Sequence, residues 1–143
     1  MKLTETIQKL KTYPDVMEFN PPVSKKEIHD FEIANKIILP TSYTEILQHF
    51  DGGELFIPGT VIYGISHGKT IKEANSRNVR KDFQIPNSML IIGKVNYGDY
   101  ICIDLNTSEI MQWDHENDEE FCRWNTLNEY LMETIADYKG GDF

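Results

Sequence analysis

Hydrophobic and polar positions along the chain change period midway. Leu3, Ile7 and Leu10 fall on one face of a short first helix, and the polar residues 13–22 follow as a flexible link. Ser24 and Glu27 have capping-box spacing, and Val23 before the cap can staple against Ile28. A second helix therefore starts here, with Ile28 and Phe31 on one face. Its expected end is near Asn35, a residue type that tolerates left-handed backbone. After Leu39-Pro40, Ser42 and Glu45 repeat the capping spacing, while Tyr43, Ile46, Leu47 and Phe50 recur as one apolar stripe. Asp51-Gly52-Gly53 stops this third helix, because glycine supplies the positive φ of a helix C-terminus.

Beyond Gly53 the pattern becomes strand-like. Residues 54–57 and 60–65 are β-rich, and Thr70 with Glu73 opens a polar helix over residues 70–79. Three further strands are predicted at residues 89–94, 100–105 and 109–113. The turn-forming links Asn96-Tyr97-Gly98-Asp99 and Asn106-Thr107-Ser108 make them an antiparallel meander. Ile101, Ile103 and Leu105 are expected on one face of the middle strand, with Tyr100, Cys102 and Asp104 on the other. Thr126 and Glu129 begin a closing helix whose stripe includes Leu127, Tyr130, Leu131, Ile135 and Tyr138. Helices first, strands next and a helix last describe an α+β fold: a mostly antiparallel sheet of about five strands flanked by N-terminal and C-terminal helices.

Composition narrows the class. At 143 residues and 40% hydrophobic, the chain is expected to form one domain over residues 1–143, with a core that needs no disulfide or metal. A net charge of −9 disfavours direct binding to nucleic acid or to an anionic membrane, both of which select lysine and arginine. No apolar run reaches the roughly 20 residues that span a bilayer, and the first residues lack a secretory apolar segment, so a cytoplasmic location is expected. Cys102 and Cys122 form no CxxC pair and are read as reduced thiols.

The charge is unevenly spread. Residues 1–98 are nearly balanced, whereas residues 99–143 hold two basic and twelve acidic side chains. The densest stretch is Asp114, His115, Glu116, Asn117, Asp118, Glu119 and Glu120. Such a run is either a solvated connector or a docking face for a basic partner, since concentrated like charge speeds encounter and rejects wrong partners. Trp113, Phe121 and Trp124 flank it, and Trp113 and Trp124 also suit core positions beside a strand and a helix. Tyr97 and Asp99 at the first hairpin tip join the candidates. The partner-binding residues read from the sequence are thus Tyr97, Asp99, Trp113, Asp114, Glu116, Asp118, Glu119 and Glu120.

Catalytic chemistry finds little footing. Gly64-Ile65-Ser66-His67-Gly68-Lys69-Thr70 resembles a phosphate-binding loop but has three residues between its glycines where four are needed. The four histidines lack metal-ligand spacing, although His49 with Asp51, or Asp114 with His115 and Asp118, could hold a divalent ion adventitiously. There is no GxSxG elbow, and neither cysteine has an activating neighbour. No catalytic residue, metal or cofactor is assigned. An enzyme acting on a small cationic or sugar substrate would instead require a deep pocket with strongly shifted carboxylates.

The segments Ser24-Lys25-Lys26-Glu27-Ile28-His29-Asp30-Phe31-Glu32, Ile38-Leu39-Pro40-Thr41-Ser42-Tyr43, Ile46-Leu47 and Asp51-Gly52-Gly53 together resemble the SUKH superfamily, the Smi/Knr-like domain. Leu90-Ile91-Ile92-Gly93, Tyr97-Gly98-Asp99 and residues 121–131 extend the likeness over nearly the whole chain. Asp51 stands where the family often has asparagine, and Asn35 where glycine commonly ends the first family helix. The resemblance implies an α+β domain that in bacteria commonly serves as the immunity protein of a polymorphic toxin system. Such a protein binds a toxin domain, frequently a nuclease, in the cytosol; eukaryotic relatives resemble regulators of cell-wall synthesis. It implies no catalytic residues. The expected partner is a cognate toxin, a basic nuclease domain docked by the acidic face; the other protein-binding reading is a regulatory or scaffolding domain.

Overall fold

The computed structural model describes residues 1–140. Its elements run α1 (Leu3–Leu10), β1 (Met17–Phe19), α2 (Lys25–Asn35), α3 (Thr41–Leu47), β2 (Gly53–Leu55), β3 (Thr60–Ile62), α4 (Ile71–Ala74), α5 (Arg77–Asp82), β4 (Met89–Val95), β5 (Tyr100–Asp104), β6 (Ile110–Asp114), β7 (Glu119–Trp124) and α6 (Leu127–Gly140). The seven strands form one antiparallel sheet in sequence order, each pairing with the next. The fold is α+β with helices at both ends, as the pattern predicts, and the sheet has two strands more than expected.

Both extra strands lie on its edges. Residues 13–22, expected as a flexible link, include a short 3₁₀ turn and then β1, which pairs Met17 with Leu55 and Phe19 with Gly53. β7 begins inside the acidic run, so that run is a hairpin tip and not a free connector: Asp114 lies opposite Glu119, and Trp113 opposite Glu120. An edge strand tolerates such charge because one side of its backbone faces water.

Local signals explain most helix starts. Ser24 accepts from the Glu27 amide at 3.1 Å, with Glu27 reaching back to Ser24, and Val23 and Ile28 are both buried. The left-handed residue after α2 is Lys36, at φ 53°, while Asn35 donates its side-chain amide to the Phe31 carbonyl. The box expected at Ser42 and Glu45 does not form. Pro40 caps α3 two residues earlier, its ring fixing the φ that starts a helix, and the buried Ser42 hydroxyl finds no partner among the described residues. The helix expected over residues 70–79 is divided in two. Asn75 breaks it by turning its side chain onto the β4 backbone, bonding both the carbonyl and the amide of Ile91, and Ser76 then caps α5.

β4, β5 and β6 are buried on both faces. Tyr130 of α6 reaches the sheet through its hydroxyl, 3.1 Å from Thr60 Oγ1, and edge-to-face against Trp124. Phe83, after α5, covers the Tyr100 side, with its ring edge-to-face on Tyr100 and its carbonyl accepting from Trp113 Nε1 at 2.7 Å. With both faces covered, the central sheet is exposed at its hairpin ends: the β4–β5 and β6–β7 turns at one end and the β5–β6 turn, residues 105–108, at the other.

Candidate functional site: an acidic hairpin end

The register brings the two hairpin tips together. Tyr100 lies opposite Trp113, so the β4–β5 turn carrying Tyr97 and Asp99 stands beside the β6–β7 turn carrying the acidic run. Asp99 ties them. Its carboxylate accepts from Gln112 Nε2 at 2.8 Å, from the His115 amide at 3.1 Å and from His115 Nδ1 at 2.6 Å. Gln112 Nε2 also donates to the Tyr97 hydroxyl at 2.8 Å, holding the exposed tyrosine ring upright on the first tip. Gly98 makes the close approach possible: it sits at φ 110°, and a Cβ there would lie 2.8 Å from His115 Nε2.

The second tip shapes itself. Asp114 accepts from the amides of Glu116 at 2.9 Å and Asn117 at 3.2 Å and from the Asn117 side chain at 2.8 Å, while Asp118 takes the left-handed backbone at φ 53°. These bonds, led by the one from Asn117, hold the Asp114 carboxyl below the usual carboxylate range. Burial acts to raise Asp99, but the bonds from Gln112 and His115 prevail and lower it too. Both acids are therefore ionised scaffolding of the turn; Glu116, 3.9 Å from His115 Nε2, and Glu119 are exposed beside them, and Asp118 is half-exposed and accepts from Gln84 Nε2 at 3.4 Å.

Glu120 behaves differently. Arg123 binds it through Nε at 3.2 Å and Nη2 at 2.7 Å, and also reaches Glu109 at 2.9 Å and Asp104 at 3.5 Å. The bond to Arg123 lowers the proton affinity of Glu120. The acidity of the last third is thus divided. Asp104, Glu109 and Glu120 surround one guanidinium, whereas among the described residues no lysine or arginine pairs with Asp114, Glu116, Asp118 or Glu119.

The aromatic shoulders divide as well. Trp113 is buried beneath the tip, Trp124 is half-buried against α6, and Phe121, the residue that bulges out of the β6–β7 ladder, is 66% exposed. Beside the tip lies a groove of about 390 Å³ along α6, reached by Tyr97 and Gln112 and by Glu133 and Asp137. Reading the sequence missed it, because its walls come from elements scattered between residues 55 and 138. Only the i, i+4 spacing of Glu133 and Asp137, in register with the Tyr130 and Tyr138 stripe, hinted that they share a side of α6.

The phosphate-loop lookalike is occupied by its own chain. Asp51, fully buried, accepts from the amides of Ile65 at 2.7 Å, Ser66 at 3.0 Å and His67 at 2.7 Å, and from His67 Nδ1 at 2.7 Å. The amides that would cradle a phosphate already hold a carboxylate. One set of side chains has metal-ligand proximity: Asp99, Asp114 and His115 offer atoms within 4.8 Å of one another. Their oxygens and Nδ1 are engaged in the turn bonds above, so an ion would have to displace them. Burial, the leading cause for both thiols, raises Cys122 and pushes Cys102 up to about 12, the direction opposite to that of an activated nucleophile.

Among the described residues no helix is long and apolar enough to cross a membrane. No curated protein matches the chain. The model of the SMI1 / KNR4 family (SUKH-1) matches residues 22–133, a span running from the residues before α2 into α6 and including both hairpin tips. The chain belongs to the SMI1 / KNR4 family (SUKH-1).

Proposed function

We propose that this protein is a non-enzymatic, cytoplasmic immunity protein that neutralises a cognate toxin, a basic nuclease domain, by docking the acidic hairpin end onto it. Membership of the SMI1 / KNR4 family supports a protein-binding role. The observation that carries the reading further is the tip without lysine or arginine partners among the described residues, where Glu116 and Glu119 are exposed and Asp118 half-exposed on a turn locked by Asp99 and Asp114. A nuclease must present basic surface to phosphates, and a rigid anionic projection competes for that surface without paying to order itself on binding. Tyr97 and Phe121 add exposed aromatic area beside the charge, the combination that favours a protein partner over a simple counter-ion. Each carboxylate with a resolved shift, Asp99, Asp114 and Glu120, is shifted downward, opposite to what a general acid requires.

The test is calorimetric titration of the cognate toxin domain with a Glu116→Lys, Asp118→Asn, Glu119→Lys variant. The asparagine at 118 keeps a residue type suited to left-handed backbone. At physiological salt the expected loss of affinity is about a hundredfold, some 3 kcal/mol. Unchanged affinity would remove the tip from the interface.

A further inference from the structure

The groove along α6 is chemically one-sided. Phe56, Tyr97, Trp124 and Tyr138 supply aromatic walls, Glu133 and Asp137 supply carboxylates, and among the described residues no lysine, arginine or histidine lines it. Neither carboxylate has an ion-pair partner among the described residues. Glu133 is held in place by Trp124, whose Nε1 donates to it at 2.7 Å. The Phe56 ring lies on that of Tyr138 with centroids 4.4 Å apart at 22°, and Phe56 takes φ 53° to do so, a backbone rarely adopted by a bulky residue.

A second observation points the same way. Gln112 is 6% exposed and lines this groove. Its amide nitrogen is committed to Tyr97 and to the Asp99 carboxylate, which can only accept; the side-chain carbonyl oxygen takes no hydrogen bond from the described residues and stays open to solvent, free to accept from a guest. A free amide acceptor, two carboxylates without a cationic partner and aromatic faces all ask for one kind of guest: a cation rich in N–H donors. A volume of about 390 Å³ accommodates a single long side chain and not a helix or strand.

We propose that this groove receives a lysine or arginine side chain from the protein partner whose basic surface meets the acidic tip. The inference rests on the protein-binding reading above and adds a specificity pocket to it. Tyr97 and Gln112 belong to both surfaces, so a partner seated on the tip has the groove within reach of its neighbouring side chains.

Two tryptophans make the test internally controlled, since Trp124 lines the groove and Trp113 bonds to Phe83 away from it. The intact chain, labelled with ¹⁵N, is titrated with acetyl-Gly-Arg-Gly-amide, with the lysine equivalent, with the neutral citrulline equivalent and with putrescine. The arginine or lysine peptide is expected to shift the Trp124 indole signal saturably and leave Trp113 in place. Citrulline should require at least about tenfold more peptide, and a Glu133→Gln, Asp137→Asn variant should bind about tenfold more weakly. Equal movement of both indoles, equal binding of citrulline, or wild-type binding by the variant would overturn the proposal. Tighter saturation by putrescine than by either peptide would also overturn it, by making the groove a small-cation site. Against the cognate toxin domain, the groove variant is expected to lose about tenfold in affinity. If it loses none while the tip variant does, the groove inference falls and the functional reading stands; if neither loses affinity, both fall.

Discussion

The fold uses one device twice. Asp51 with His67 and Asp99 with His115 are both aspartates that accept from backbone amides and from the Nδ1 of a histidine lying in the segment they anchor. Their surroundings differ. Asp51 is fully buried beneath residues 64–67, beside Tyr43, whose hydroxyl donates to the Tyr63 carbonyl and whose proton affinity is raised by burial and then by Asp51. Asp99 sits at the rim, among acids that carry no lysine or arginine. The first pair closes the molecule on itself and consumes the loop that looked fit for phosphate. The second fixes a turn so that its other carboxylates point outward. The same local chemistry is structural where every acceptor is satisfied inward and presentational where the neighbouring charge is left over.

The sharpest break in this comparison comes from the buried pair. Asp51→Ala leaves three backbone N–H groups without their acceptor and is expected to cost about 3 kcal/mol, near 10 °C in melting temperature. Gly64→Ala attacks the same contact sterically, because a Cβ there would fall 2.3 Å from the Asp51 carbonyl oxygen and 2.4 Å from Oδ1. Both variants are read by urea unfolding, and a loss below about 0.5 kcal/mol in either would contradict the structural role given to Asp51. At the rim, Gly98→Ala places its methyl against the His115 ring in a left-handed backbone and is expected to cost about 1–2 kcal/mol. Circular-dichroism melts check it.

The Asp99 pair has a pH signature. Its carboxyl binds a proton less readily in the folded chain than an ordinary aspartate does, so its contribution is complete above the unfolded value of about 3.9 and fades as pH falls through the lower folded value. Asp99→Asn should therefore destabilise by about 1 kcal/mol near pH 7, with the difference from the unaltered chain closing as the pH drops below about 4. A difference that stays constant from pH 7 to pH 3 would show that the charge of Asp99 is not what matters. Smallest of all, Glu116→Lys and Glu119→Lys should leave stability within about 0.5 kcal/mol, since both side chains are exposed and the one turn contact either makes is the 3.9 Å approach of Glu116 to His115 Nε2.

Much of the fold was legible because local rules agreed with the global outcome. Capping boxes at Ser24 and Thr70 and the Thr126 side-chain cap start helices where expected, and the turn-forming links between residues 95 and 109 placed β4, β5 and β6 correctly as an antiparallel meander. What failed were short elements stabilised from elsewhere. β1 is three residues long and exists by pairing with β2, some 35 positions on; β7 opens with two glutamates that look like solvent-exposed loop. The site was partly visible for the same reason. Tyr97, Asp99 and the acidic run are recognisable singly, but their juxtaposition depends on register, and the neutralisation of Glu120 depends on the β7 bulge at Phe121 that lets Arg123, three residues on, meet it. The groove was invisible, because no stretch of sequence contains more than a part of its wall.

The central claim is that the charge left unpaired at the hairpin end guides and holds a basic protein. Stopped-flow association with the cognate toxin domain, followed from about 20 to 500 mM salt, tests it most directly. The unaltered protein should associate fast at low salt and slow steeply as salt rises, whereas the Glu116→Lys, Asp118→Asn, Glu119→Lys variant should associate at least about tenfold more slowly at low salt and with a flatter dependence. Identical rates and identical slopes for the two proteins would contradict the account.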